Sequence, residues 1–491
     1  MNVVERTEAR RVAALACLDP DRQSQLGQFF TPAVAAALVA SMPRLDGLSG
    51  SVRVLDAGAG VGSLTAAVVD RLHQERPDVA VHVVAVETDD AVVPFLADTL
   101  ADCSSTPNVT CELVAGDYLA GSTGLDADAR MCGPFDLVIM NPPYGKLAAN
   151  HHDRRAVAND VVDTPNLYAA FWALGVRACQ SGGQVVAIVP RSFANGTYFE
   201  PFRRWLLRNM RLDTMHVFES RSTVFADTGV LQENVIVSGT VGGKPENVVL
   251  SASVGHADEV TVRVVPAAAV VQPSDPHKFV RFTDGAACVP DAARFTLEDL
   301  GLSVSTGRVV DFRCRQWLSD EPHELGNVPL VYPGNVRGGG VDWPRHIGKP
   351  QSFRAKDVAA RKWIVPAGNY TVIKRFSAKE ERRRVVAGVW DLPGEPAFEN
   401  HLNYVHEQGE GLPLDLARGL SVWLNSSPLD ELFRTFSGHT QVNAGDLRVL
   451  PFPSRDDLSA LGRAVPGPLP TQDEVDGVVF RLLDPVSAVA S

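Results

Sequence analysis

Val52-Arg-Val-Leu-Asp56-Ala-Gly58-Ala-Gly60-Val-Gly62-Ser63-Leu-Thr-Ala-Ala67 is an apolar run that ends on an acid, turns through three glycines and continues with helical spacing. A short apolar strand feeding a glycine turn and a helix is the opening unit of a parallel α/β sheet. The glycines let the backbone approach a ligand closely and present the free amides of a helix start. A pyrophosphate-binding dinucleotide turn needs a sixth-position glycine counted from Gly58, and Ser63 stands there. An acid just before the glycines suits a cationic ligand group instead.

Outward from that turn the alternation repeats. Val81–Glu87, Val109–Val114, Phe135–Met140 and Gln184–Pro190 read as further strands, and Leu64–His73, Ala91–Leu100 and Leu167–Cys179 have helical spacing, with Asn166 placed to cap the last. Val235–Val241, Gly-Gly-Lys and Val248–Val254 read as a hairpin closing the sheet with an antiparallel edge. Three prolines within 265–277 mark a boundary, giving domains 1–272 and 273–491. The second half has irregular short strands and turns with many aromatics and arginines, and is expected to be mixed α+β.

Asp56, Glu87, Asp117 and Asn141 each follow the end of one of four successive strands. In open parallel sheets ligands lie at these carboxyl ends, so the register suits one nucleoside-shaped ligand, with Glu87 accepting from ribose hydroxyls and Asp117 from an adenine amine. Asn141-Pro142-Pro143-Tyr144 is the sharpest signal. Two prolines fix a rigid turn and leave the Pro142 carbonyl without a ladder role. That carbonyl and the Asn141 side-chain oxygen can accept the two hydrogens of a planar exocyclic amine and stabilise the positive charge that develops as its nitrogen attacks. Tyr144 can stack on the ring carrying the amine.

These motifs resemble those of AdoMet-dependent methyltransferases, and specifically the gamma-order Type II adenine-N6 DNA methyltransferases of restriction–modification systems. The resemblance extends to Gly27-Gln-Phe-Phe-Thr31-Pro32, to Asn166-Leu-Tyr168-Ala-Ala-Phe171, to Thr223-Val-Phe225 through Asn234, and to Gly438-His-Thr-Gln441-Val-Asn443 through Pro451. It implies a Rossmann-like AdoMet-binding domain with a mostly parallel seven-stranded sheet, followed by a C-terminal mixed α+β target-recognition domain. It implies a cofactor site of Thr31, Asp56, Gly58, Gly60, Glu87, Asp117, Asn141 and Phe171. A catalytic set of Asn141, Pro142, Pro143, Tyr144 and Phe225 follows, the two aromatics forming walls for a base flipped out of duplex DNA. One departure is Asp56, where several relatives carry Glu; a second is the long Gly/Ala/Asp-rich stretch from Asp117 to Gly133, read as a surface loop.

The composition, 45% hydrophobic and 21% charged over 491 residues, is globular. A net charge of −12 disfavours a nucleic-acid partner until its distribution is considered: residues 301–400 hold 16 Lys+Arg against 11 Asp+Glu. Within 361–384, Arg361, Lys362, Lys374, Arg375, Lys379, Arg382, Arg383 and Arg384 alternate with Trp363, Tyr370 and Phe376, a mixture suited to DNA. The competing reading is a solvated helix face over 378–386. Arg337, Lys374, Arg375, Arg382 and Arg383 are the DNA-contact candidates, and Arg308 is a further one. Seven scattered cysteines form no Cys-x-x-Cys pair, and adjacent His151 and His152 lack an evident third ligand, so no metal is expected. No long apolar run or signal core is present, so a cytoplasmic location without membrane attachment is expected. No cleavage constellation is seen; the expectation is a monomer beside a separate cognate endonuclease. The competing functions are glutamine-N5 methylation of protein, cytosine-N4 methylation, which the first-position Asn disfavours, and a catalytically dead DNA-binding scaffold.

Overall fold

Nine strands, β1 (Ser51–Ala57), β2 (Ala80–Glu87), β3 (Val109–Ala115), β4 (Phe135–Met140), β5 (Cys179–Pro190), β6 (Met210–Phe218), β7 (Asn234–Val241), β8 (Asn247–Ser253) and β9 (Thr261–Pro266), build one sheet in the order β3-β2-β1-β4-β5-β7-β6-β8-β9. The computed structural model describes residues 2–18, 30–125, 127–218, 234–253, 255, 259–273, 275–282, 289–377, 381–436 and 441–483. Strands β1 to β5 are mutually parallel. β7 runs antiparallel to both β5 and β6.

The five parallel strands and the helices Ser63–Glu75, Val93–Ser104 and Leu167–Ala178 lie where the periodicity places them. Their strands are near-continuous apolar runs because both faces are covered. Val54, Val83, Leu137 and Val186 pack on one face with Leu64, Val68 and Val69 of the helix Ser63–Glu75. Leu55, Val84, Val138 and Ala187 pack on the other with Phe171, Trp172 and Leu174 of the helix Leu167–Ala178. Asn166 occupies the N-cap position, but its side chain makes no capping hydrogen bond.

Among the described residues, the expected hairpin between 235–241 and 248–254 is not formed, and the sheet has nine strands rather than seven. β6 lies between β7 and β8, pairing in parallel with β8 through Met215 and Leu250, and β9 adds an antiparallel edge. Polar residues hide β6 from a hydrophobicity reading. Arg211 Nε pairs with Asp213 at 2.9 Å. Buried His216 meets the Ser251 and Ser253 hydroxyls at 2.9 and 3.0 Å. Burial pushes the His216 pKa down to about 4, so the imidazole is neutral inside the sheet.

The chain divides into two compact units, Met1–Asp284 and Gly285–Ser491, later than the 272/273 boundary read from the prolines. The chain beyond Pro273 still packs on the first unit: Val280 N donates to Ala194 O at 3.0 Å, and Phe282 joins the core. Buried Arg203 ties this segment down by donating to the carbonyls of Phe193, Gly196 and His277. The stretch after Asp117 is also anchored, since Met131 is buried in the core and Gly124 N donates to Asp160 at 2.9 Å.

The second unit is mixed α+β. A six-stranded sheet runs in the order Ser303–Thr306, Leu402–His406, Tyr370–Lys374, Ala387–Trp390, Gly339–Val341, Val336–Arg337, and a four-stranded sheet joins Leu318–Ser319, Ser352–Arg354, Asn327–Val331 and Ala397–Phe398. Helices include Leu414–Leu424, Arg455–Ala464 and Gln472–Leu483.

Candidate active site

The strand order reverses between β1 and β4, and ligands of open parallel sheets bind at such switch points. A cavity of about 240 Å3 opens there, lined in part by Phe30, Thr31, Gly58, Gly60, Glu87, Asp117, Tyr118, Asn141, Asp153 and Phe171. Seven of the eight residues assigned to cofactor binding line it; Asp56 does not.

The glycine turn is folded onto the end of β2. Gly58 and Ala59 donate their amides to the Val86 carbonyl at 3.1 and 2.8 Å, and Gly60 N donates to Glu87 Oε2 at 2.9 Å. Gly60 has φ +57°, and a Cβ there would stand 2.9 Å from the Phe30 ring. Only glycine meets both conditions. The other Glu87 oxygen accepts from the amides of Thr88 and Asp89, both at 2.9 Å, while burial raises its pKa.

Asp56 is fully buried beneath the turn. Its Oδ2 accepts from Thr65 N and Oγ1 at 3.2 and 2.6 Å, in the first turn of the helix Ser63–Glu75. Among the described residues its Oδ1 has no hydrogen-bond partner, and burial pushes the carboxyl pKa up to about 7. Asp117 caps the short helix Tyr118–Gly121, accepting from Leu119 and Ala120 amides at 2.8 and 3.1 Å.

The Asn141–Tyr144 turn is braced from behind. Leu167 N donates to Gly145 O at 2.9 Å and Leu147 N to Pro165 O at 2.7 Å, so the start of the helix Leu167–Ala178 holds both the turn and Phe171. Asn141 Nδ2 donates to Thr31 Oγ1 at 3.0 Å, and the Tyr144 hydroxyl donates to Asn141 Oδ1 at 2.9 Å. The Pro142 carbonyl accepts no hydrogen bond among the described residues. Phe225 and residues 27–29 of the N-terminal motif lie outside the described residues, as do 438–440 of the tail motif.

Among the lining residues that sequence reasoning did not assign are Phe30, Tyr118 and Asp153. Phe30 adjoins Thr31 within a motif already singled out. Tyr118 packs at a tilt against Phe171, with ring centroids 5.0 Å apart and planes at 45°, and nothing in its spacing marks it. Asp153 follows the two loop histidines and supplies the third group they were judged to lack: His151 and His152 Nδ1 lie 3.3 and 2.6 Å from its two oxygens. Each oxygen is engaged by one imidazole, which holds this carboxylate at the cavity wall.

Among the second-unit candidates, Arg337 and Arg382 are exposed. Lys374 is half-buried; burial lowers its pKa, Arg337 and Arg345 add to that, and Glu381 opposes them. Burial likewise lowers Arg383. Arg375 donates to the Asn400 carbonyl at 2.6 Å. Arg361 is neutralised by Glu395 at 2.8 Å, Arg308 donates to the Ile364 carbonyl at 3.0 Å, and Arg384 is buried. Residues 381–386 are not helical, because the Arg384 and Val385 amides are drawn to Asp430 Oδ1; Lys379 lies outside the described residues.

Residues 119–225 match the family model of the Eco57I restriction-modification methylase. The chain is 40% identical over 461 residues to the Type II methyltransferase M.BsuBI of Bacillus subtilis, covering 90% of each chain. It is 35% identical to the Type II methyltransferase M.PstI of Providencia stuartii, covering 96% of each. The chain belongs to the Type II DNA methyltransferases of restriction–modification systems. The fold agrees: the Type IIL restriction-modification enzyme MmeI, solved with DNA, superposes with a TM-score of 0.56 at 12% identity, covering 89% of this chain and 70% of that one. Among the described residues, no helix of this methyltransferase is long and apolar enough to cross a membrane.

The cavity fits the methyl donor AdoMet, a sulfonium nucleoside carrying an amino acid. Its described lining holds the carboxylates of Glu87, Asp117 and Asp153 and no lysine or arginine, which favours a cation over a phosphate. Phe171 and Tyr118 offer apolar faces for a purine. Asp56 adds buried charge when ionised. A bound cation favours the ionised form of this carboxyl, so AdoMet affinity is expected to strengthen by about three- to tenfold from pH 6 to pH 8. The α-amine of AdoMet titrates in the opposite sense near the top of this range, so the reading is the difference between wild type and Asp56→Asn by calorimetry at pH 6, 7 and 8. Equal pH slopes in the two proteins would contradict this role for Asp56.

Proposed function

We propose that this methyltransferase acts on the exocyclic N6 amine of an adenine flipped out of duplex DNA, within a site read by the second unit. The observation that carries the reading is the turn after β4. It sets the Asn141 amide on the lining of the cavity beside Tyr144, and leaves the neighbouring Pro142 carbonyl without a hydrogen bond among the described residues.

When bound, AdoMet supplies an electrophilic methyl group. Glu87, Asp117 and Phe171 hold its nucleoside part, and Thr31 faces the side toward the turn. Asn141 Oδ1 and the Pro142 carbonyl accept the two amine hydrogens, which draws the nitrogen lone pair out of conjugation and stabilises the developing positive charge. The product ammonium is acidic enough to lose its proton afterwards, so no dedicated base is required. Tyr144 and Phe225 supply aromatic faces for the flipped ring, and Pro143 keeps the turn rigid. We assign the enzyme as a monomer working beside a separate endonuclease, without a metal.

The identity of the first residue in the turn favours adenine over cytosine, and the large second unit favours DNA over a protein glutamine. The test is incubation of duplex DNA with enzyme and AdoMet, followed by digestion to nucleosides and mass spectrometry. N6-methyladenine is expected; N4-methylcytosine as the sole product would replace the adenine assignment.

Phosphate neutralisation is assigned to Arg337, Lys374, Arg375, Arg382 and Arg383, with Arg345 beside Lys374. Removing one phosphate contact lowers the slope of log affinity against log salt by about 1. Lys374→Ala and Arg337→Ala are each expected to do so in a filter-binding titration at several salt concentrations, without changing the preferred sequence. Unchanged slopes would remove these residues from the DNA face.

A further inference from the structure

Thr31 and Asn141 lie 110 positions apart in sequence, yet their side chains meet at the cavity wall. Thr31 is 4% exposed, and its Oγ1 accepts from Asn141 Nδ2 at 3.0 Å. On its other side the Asn141 amide oxygen accepts from the Tyr144 hydroxyl at 2.9 Å. We propose that Thr31 is a positioning residue for methyl transfer: its hydroxyl anchors the nitrogen end of the Asn141 amide at the cavity wall, while the Tyr144 hydroxyl, donating to the amide oxygen, sets the orientation until the target amine replaces it. This rests on the exocyclic-amine reading given above.

The two ends of a carboxamide are nearly equal in shape and opposite in hydrogen bonding. With the oxygen outward, Asn141 accepts from the target amine; rotated by half a turn it opposes donor to donor and transfer stops. A phenol is a good donor and a poor acceptor because its lone pair is delocalised, so Tyr144 selects the oxygen-outward orientation in the resting enzyme. Once the amine, itself a donor to Oδ1, takes the phenol's place, Thr31 Oγ1 still accepts from the amide nitrogen. The threonine thereby couples the N-terminal motif to the reacting turn, a role separate from covering the cofactor.

The experiment uses the full chain with Thr31→Val, which keeps the shape and removes the hydroxyl, and Thr31→Ser, which keeps the hydroxyl. Single-turnover methyl transfer at saturating AdoMet and DNA is measured beside AdoMet affinity by calorimetry. Thr31→Val is expected to slow transfer by about 10–100-fold, as loss of a supporting hydrogen bond does, with AdoMet affinity within about threefold of wild type. Thr31→Ser is expected to recover most of the rate. An unchanged rate in Thr31→Val would overturn the proposal, as would equal loss in both variants, which indicates packing, or a loss confined to AdoMet affinity, which indicates cofactor covering alone. Failure of the wild-type protein to methylate an exocyclic amine would instead overturn the underlying reading, and the wild-type control separates the two cases.

Discussion

Asn141→Ala is expected to slow methyl transfer by at least about 10²–10³-fold while AdoMet binding stays within a few-fold of wild type. In the proposed reaction Asn141 is one of two acceptors that strengthen as the target nitrogen gains charge, so its loss would fall on the transition state rather than on ground-state binding. Among the described residues its side chain bonds to Thr31 and Tyr144, on the side of the reacting turn. The turn itself is held by backbone bonds from Leu147 and Leu167, which the substitution leaves in place. Single-turnover kinetics with calorimetry give both quantities. Wild-type-like transfer in Asn141→Ala would refute the acceptor role, and a collapse of AdoMet affinity equal to the loss of rate would show that its contribution to cofactor binding outweighs that role.

Glu87→Ala is expected to weaken AdoMet binding by about 10²-fold or more, because hydrogen bonds from ligand hydroxyls to a carboxylate contribute about 1.5–3 kcal/mol each. The same carboxylate accepts from the Gly60, Thr88 and Asp89 amides, so alanine also loosens the glycine turn. Glu87→Gln separates the effects: it keeps one carbonyl acceptor and the side chain's shape, and is expected to lose about 10-fold. Calorimetry on folded variants, checked by thermal melting, decides this. AdoMet affinity within about threefold of wild type in both variants would contradict placement of the ribose at Glu87.

Much of the first unit was legible because its parallel strands are apolar on both faces and end on polar residues in register. Asp56, Glu87, Asp117 and Asn141 mark those ends, and three of the four line the cavity. Asp56 reads as a ligand in sequence yet faces inward to Thr65, because a helix start presents free donors to any acid directly before a glycine turn. Strand β6 was illegible: among the described residues His216 is satisfied by Ser251 and Ser253 on β8, and tertiary partners of that kind leave no periodic trace. Asp153 was missed for the same reason, its place on the cavity wall being set by where the helix His152–Asp160 begins after the turn. In the second unit, strands of two to five residues are shorter than any alternation can reveal. The basic run of 361–384 looked uniform in sequence, but Arg361 pairs with Glu395 and Arg384 is buried, so the charge count overstates the free basic surface.

The most direct measurement is methylation-sensitive long-read sequencing of DNA from cells expressing the wild-type protein beside cells expressing Asn141→Ala. N6-methyladenine at one short motif, present with the wild type and absent with the variant, is the predicted result. The same motif methylated in both samples, or a modified cytosine or no modified base with the wild type, would contradict it.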